Sequence, residues 1–178
     1  HNLRQKFGNA TWAKDAMAEE MSNAPSLRMK TALIYEERWA AIRDARENRN
    51  TQGRRLSAAA IMADNIGNCF EHSVLACHYL NRRGIASYMA DTDDNTNHCF
   101  VLIGAPAGLD GQTVNVTAAA PGAIAGAFTV VCDPWYHEWF SVQQDWGRKM
   151  WHIFGVTTKD PPMPDPVPLT LTSGAHVT

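Results

Sequence analysis

Six consecutive residues determine how the middle of this chain folds, and they are Gly67-Asn68-Cys69-Phe70-Glu71-His72. Asn68 is a favourable helix N-cap, and Glu71 follows it at the spacing of a capping box. The apolar periodicity that comes next predicts a helix through Leu80, with Gly84 as the residue just beyond its C-terminus. Cys69 is therefore predicted to be the first residue of a helix.

A cysteine in the first turn of a helix lies where negative charge is stabilised. The helix dipole favours the thiolate of Cys69, and the exposed backbone N–H groups of the same turn can receive an oxyanion. The thiolate is the reactive form of cysteine. Most cysteines are simply small buried residues, but this position makes Cys69 a candidate nucleophile.

Two residues further along the chain supply the groups that a nucleophilic thiol requires. His98 opens an apolar strand after a polar loop and can act as a general base. Asp133 closes a later apolar strand, where a buried carboxylate needs a partner such as an imidazole N–H. Each has an ordinary alternative, a loop-edge histidine and an Asp-Pro turn. Together they predict a Cys69, His98, Asp133 triad.

The remaining pattern predicts an α+β fold, with helices first and a small, mostly antiparallel sheet after them. A single domain is expected over residues 1–158, followed by an extended tail with five prolines over 159–178 that forms no central strand. The parts of that domain are N-terminal helices within 10–66, the helix and sheet of 67–140, and a C-terminal helix over 141–155. The predicted strands are 85–90, 98–104, 113–116 and 127–133.

Composition excludes several classes of protein. The 178 residues are 45% hydrophobic and 19% charged, which is typical of a folded domain and not of a disordered chain. A net charge of -2 provides no basic field for binding nucleic acid. The apolar runs fall short of the ~20 residues that a membrane helix needs, so no membrane insertion is expected. The four cysteines fit a reducing compartment, although their spacing leaves a pairing among them open.

Three segments in this order resemble the papain-fold toxin and effector domains of bacteria. The segments are 67–72, 97–104 and 130–135, and the resemblance covers roughly residues 60–140. The three segments are similar to those of the glutamine deamidase and transglutaminase-like effectors. The resemblance implies a papain-like fold and a cysteine hydrolase. The implied reaction is thioester-forming attack on a protein amide, favouring deamidation of glutamine or asparagine over proteolysis or transglutamination.

The same resemblance implies a biological setting. The protein would be a secreted or injected effector that acts in the cytoplasm of a host or competitor cell. Its partners would be a target protein there and a cognate immunity protein, and no cofactor is expected.

The resemblance is imperfect where an oxyanion hole would be completed. Papain-like peptidases carry a glutamine six residues before the cysteine, and that position here is Ala63. Asn65 is the nearest amide that could replace it, together with the backbone N–H of Cys69. Asn65, Asn68 and Trp135 are therefore the residues expected to line the oxyanion and substrate side of the site, although Trp135 also suits a packing role.

Two other functions use the same residues. A metal site could draw on cysteine and histidine side chains, and Cys69 with His72 could form a two-ligand half-site. The spacing matches no zinc pattern, so no metal is predicted. The side chains that could act as ligands of such a metal site are those of Cys69, His72, Cys77, His78, His98 and Cys99.

A catalytically inactive binding module of the same fold is the second alternative.

Overall fold

Helices and an antiparallel sheet make up the computed structural model, which describes residues 25–92, 98–117, 119–153 and 166–178. Within these residues there are four helices and six strands, all paired antiparallel, and this confirms the predicted α+β class. The helices are α1 Pro25–Thr51, α2 Ala58–Asp64, α3 Cys69–Asn81 and α4 Val142–Ile153. The strands are β1 Ser87–Thr92, β2 Cys99–Ile103, β3 Thr113–Val116, β4 Val130–Asp133, β5 Glu138–Ser141 and β6 Val167–Ser173.

The described residues fall into two compact units, divided between Asn68 and Cys69. The first unit contains α1, which begins at Pro25 because proline suits the first helical position. Ser57 caps α2 by accepting a hydrogen bond from the backbone of Ala60. The buried guanidinium of Arg49 forms an ion pair with Asp64. Residues 10–24 of the predicted N-terminal helices lie outside the described residues.

The second unit is built on the sheet, whose strand order is β3-β6-β1-β2-β4-β5. Alternating residues of neighbouring strands bury one face of the sheet in a continuous apolar core that includes Phe100, Leu102, Val131 and Leu169. Trp146 of α4 joins this core, and its indole N–H donates to the carbonyl of Thr117 at 2.9 Å. Helix α3 packs against β1 and β2.

The proline-rich tail contains a strand that was not predicted. Residues 167–173 form β6, which pairs with β3 on one side and β1 on the other. The prediction that 159–178 contains no central strand is therefore wrong for these residues. Leu169 pairs with Thr92, the last residue of β1, so Pro168 lies beyond that ladder and its missing N–H costs no bond there.

Strand β5 and the helix lengths bear on two further points. Strand β5 was not predicted; its four residues follow the turn at 134–137 and alternate poorly between apolar and polar. Over the described ranges, no helix combines the length and the apolar character needed to cross a bilayer.

Candidate functional site

The strand register explains how His98 and Asp133 come together. Strands β2 and β4 are neighbours, with Val101 opposite Cys132. One step further along this register places Phe100 opposite Asp133, and His98 lies two residues beyond Phe100. Because side chains two residues apart share a face of a strand, His98 and Asp133 are directed to the same face.

His98 and Asp133 form a close, buried pair. Nε2 of His98 lies 2.6 Å from Oδ2 of Asp133, and their side chains are 8% and 2% exposed. The other carboxylate oxygen, Oδ1, accepts hydrogen bonds from the backbone N–H groups of Trp135 at 3.0 Å and Tyr136 at 3.1 Å. The carboxylate is thus held by the turn that follows β4, and its desolvation is offset by three hydrogen bonds.

Cys69 completes the group from the start of α3. It is the first residue of that helix, as predicted, and its side chain is hydrogen-bonded to His98. Since Nε2 of His98 faces Asp133, Nδ1 is the ring nitrogen left to face the thiol. The structure therefore brings together all three residues of the predicted triad.

The charge state of His98 follows from these contacts. Burial lowers its pKa, but the hydrogen bonds and negative charges of Asp133 and Cys69 more than compensate and raise the pKa to about 9. At neutral pH the ring is therefore protonated. A protonated imidazole hydrogen-bonded to both Asp133 and Cys69 can donate a proton to a leaving group.

The other three cysteines have a different environment. All four cysteines are free. Burial raises the pKa of Cys77 to about 11, and burial also raises the pKa of Cys99 and of Cys132. These thiols stay protonated at neutral pH, so Cys69 is the thiol with an imidazolium as its partner.

Trp135 lies beside Asp133, but its ring does not contact the His98 ring. The indole packs edge-on against His72, with ring centroids 5.4 Å apart. The rings beside His98 are Tyr136, with centroids 5.3 Å apart, and Phe100, at 6.2 Å. Tyr136 was missed by sequence reasoning, although its place three residues after Asp133 in the Asp-Pro turn could have indicated it.

His72 lies one helical turn beyond Cys69 but has the opposite electrostatic character to His98. Burial is the main influence and lowers its pKa, although the charge of Glu71 acts in the other direction. Its ring is hydrogen-bonded to the backbone of Pro134. His72 is therefore neutral at physiological pH and contacts the turn that carries Asp133.

The two asparagines proposed for the oxyanion side belong to the first unit. Asn65 caps the end of α2 in a left-handed conformation, with φ 54°, and its N–H donates to the carbonyl of Ile61. Asn68 directly precedes Cys69 in the chain and is buried, and its Oδ1 accepts a hydrogen bond from Arg46 at 3.0 Å. Their roles, like that of Trp135, stay predictions.

The metal alternative gains no support from side-chain placement. Across 25–92, 98–117, 119–153 and 166–178, no three His, Cys, Asp or Glu side chains converge in a way that could hold a metal ion. His98 uses its ring nitrogens for Asp133 and Cys69, and His72 bonds the backbone of Pro134. These histidines are therefore engaged in hydrogen bonds.

The chain thus defines a broad structural class, an α+β domain in which an imidazole is hydrogen-bonded to both a thiol and a carboxylate. The chain matches no known family model, no curated protein and no solved structure. Its chemistry is therefore inferred from the arrangement of its own side chains.

Proposed function

We propose that this protein is a cysteine hydrolase that attacks amides through a Cys69, His98, Asp133 triad. The observation that carries the proposal is the two-sided bonding of His98, with Asp133 on Nε2 and Cys69 as the second partner. A nucleophile, a base and an orienting group within hydrogen-bond reach are the requirements for acyl transfer. A papain-like fold is part of the same proposal.

Each group has a role in the proposed reaction that is compatible with its contacts. The Cys69 thiolate attacks the amide carbon, and the N–H groups of the first turn of α3 stabilise the oxyanion. Protonated His98 donates its Nδ1 proton to the departing ammonia or amine, which leaves a thioester. His98, now neutral, takes a proton from water as the water attacks the thioester, and Cys69 leaves as the thiolate. Asp133 holds the ring in one orientation throughout.

Deamidation of glutamine or asparagine in a target protein is the proposed reaction. The resemblance to bacterial glutamine deamidase effectors supports this choice, and the triad chemistry is compatible with it. In the proposed setting, the protein is an effector that is delivered into a host or competitor cell and meets its target there. A cognate immunity protein protects the producing cell from the effector. The four free cysteines suit a reducing cytoplasm.

A peptide library tests this proposal. Wild-type protein and the Cys69→Ala and Cys132→Ala variants are incubated with glutamine- and asparagine-containing peptides, and intact masses are recorded. Hydrolysis of a side-chain amide raises a peptide's mass by about 1 Da and releases ammonia. We expect this change with the wild type and with Cys132→Ala, and none with Cys69→Ala.

Other products would change the proposed reaction in a defined way. Shortened peptides would identify a peptidase, and peptides joined to an added amine would identify a transglutaminase. Full activity in Cys69→Ala would contradict the thiol mechanism itself. Absence of every product with the wild type would favour the inactive binding module.

A further inference from the structure

The backbone of His98 is held by one neighbouring side chain, that of Thr92. The His98 N–H donates to Oγ1 of Thr92 at 2.8 Å, and the same hydroxyl donates to the His98 carbonyl at 2.9 Å. The Thr92 N–H donates to that carbonyl as well, at 2.8 Å. Thr92 thus makes three hydrogen bonds to the backbone N–H and carbonyl of His98.

These bonds lie where the strand ladder itself gives His98 little support. His98 precedes the first residue of β2, and Thr92 is the last residue of β1. Asp91 pairs with Cys99, so Thr92 and His98 are the next pair along the hairpin. Thr92 is 5% exposed, so water does not compete for its hydroxyl.

Thr92 is anchored from its other side too. It pairs with Leu169 of β6, a fully buried core residue. The hydroxyl therefore projects from a strand that is fixed on both edges, and it transmits that fixed position to a residue at the end of the neighbouring strand.

We propose that Thr92 is the positioning residue of this site, setting through its hydroxyl where the His98 ring meets Asp133 and Cys69. The catalytic consequence rests on the proposed hydrolase function; the effect on His98 itself does not. Small displacements of a catalytic group lower rates steeply, because reacting atoms must approach along a defined line. Loss of the hydroxyl would therefore act on the reaction step more than on substrate binding.

The chain offers a matched control in Thr129. Its hydroxyl is also buried and bonded to two backbone groups, accepting from Gly126 N–H at 2.8 Å and donating to the Gly104 carbonyl at 3.2 Å. Gly104 follows the last residue of β2, whereas His98 precedes the first. Thr92→Val and Thr129→Val thus remove equivalent hydroxyls at opposite ends of one strand.

The experiment compares wild type, Thr92→Val, Thr92→Ser and Thr129→Val in the full chain. The His98 ring is titrated by NMR, and the rate of Cys69 alkylation by iodoacetamide is followed by mass spectrometry. In Thr92→Val we expect the His98 pKa to fall from about 9 and the alkylation rate to fall about tenfold. Thr92→Ser restores both, and Thr129→Val changes neither. If Thr92→Val does not fold, Thr92→Ala is measured in its place.

A Thr92→Val protein in which His98 titrates as in the wild type would overturn the inference. So would an equal change in Thr129→Val, because that would show a general loss of stability. If peptide hydrolysis is present, Thr92→Val should lower kcat by about 10- to 100-fold with KM little changed. A wild type without hydrolysis, in which the His98 titration still depends on Thr92, would refute the proposed function and leave the positioning role intact.

Discussion

Two histidine–aspartate pairs in this protein have nearly the same geometry and very different surroundings. In His98–Asp133 the Nε2 to Oδ2 distance is 2.6 Å, and in His176–Asp110 the same two atom types are 2.7 Å apart. In both pairs the remaining carboxylate oxygen accepts backbone N–H groups. The side chains are 8% and 2% exposed in the first pair, and 57% and 43% in the second.

The difference shows that hydrogen-bond geometry alone does not define a catalytic pair. Water screens the charges of His176 and Asp110, so their attraction contributes little. His98 and Asp133 are both buried, and the His98 ring is also hydrogen-bonded to the thiol of Cys69. Burial and the hydrogen bond to Cys69 make the His98–Asp133 contact one that keeps the imidazole protonated.

Removing each carboxylate gives the largest expected contrast. Asp133→Ala should lower kcat/KM for amide hydrolysis by about 10²-fold or more, because His98 loses its orientation and its charge partner. Asp110→Ala should leave kcat/KM within about twofold, because the partners of this exposed carboxylate are Ser173 and His176, which are not members of the triad. Steady-state kinetics on the same peptide measures both.

The isosteric Asp133→Asn variant separates charge from orientation. Its amide oxygen can still accept the backbone bonds of the turn, so it should retain more activity than Asp133→Ala. Equal losses in Asp133→Ala and Asp110→Ala would remove the distinction between the two pairs.

The second contrast is in the pH dependence of stability. A histidine whose pKa is raised from 6.5 to about 9 by folding stabilises the folded state fully below pH 6.5. That contribution, on the order of 3 kcal/mol, is lost as the pH rises through 9. Denaturant unfolding between pH 6 and pH 10 should therefore show stability falling across this window.

The same window applies to catalysis and has its own control. The rate should decline above about pH 9, because neutral His98 has no proton to give to the leaving group. In Asp133→Asn the His98 pKa should fall, which moves both losses to lower pH. A wild-type stability profile without any decline up to pH 10 would contradict the raised pKa.

The third contrast is chemical reactivity among the four thiols. Iodoacetamide at pH 7 should label Cys69 at least tenfold faster than the other three, whose pKa values are raised by burial. Peptide mapping after timed quenching measures each rate. The His98→Ala variant should slow labelling of Cys69, whereas His176→Ala should not. Uniform labelling would be incompatible with a thiolate–imidazolium pair at Cys69.

The smallest effect is expected at the exposed pair itself. The backbone N–H of Ser173, and then His176, lower the pKa of Asp110. A lowered carboxyl pKa stabilises the fold above the ordinary pKa, and this contribution is lost as the pH falls through the lower value. Asp110→Asn should therefore alter only the acid limb of the stability profile. A change on the alkaline side would show that the two pairs are coupled.

Local patterns predicted the triad because its members lie at the ends of strongly marked elements. The start of α3 at Cys69 and the strand that follows His98 are encoded by residues within a few positions of each. The adjacency of β2 and β4 is a property of the sheet that was not predicted, although a contact between His98 and Asp133 was. The structure places these three residues together, and their catalytic roles stay proposals.

Other features depend on contacts between distant parts of the chain. Strand β6 lies between β3 and β1, and its one proline, Pro168, together with the prolines before it argued against a strand there. The hydrogen bonds between Thr92 and His98 depend on the pairing of β1 with β2, which the polar sequence between the two residues does not indicate. The contact of Tyr136 with His98 follows from the conformation of one turn. Strand β6 does alternate between buried apolar and less buried residues, but in a proline-rich tail that pattern was passed over. The contacts of Thr92 and Tyr136 have no periodic signal for sequence reasoning to detect.

The position of β6 also has a consequence for the order of events during synthesis. Strands β1 and β3 are made well before it. Until residues 167–173 emerge, β1 lacks a partner on one edge and β3 has no partner strand in the sheet. Thr92, which is hydrogen-bonded to His98, is among the β1 residues that pair with β6. A ribosome-bound chain that ends before residue 167 would carry every member of the triad without the strand that steadies its histidine. Maturation of the site is thereby tied to translation of the last strand of the sheet.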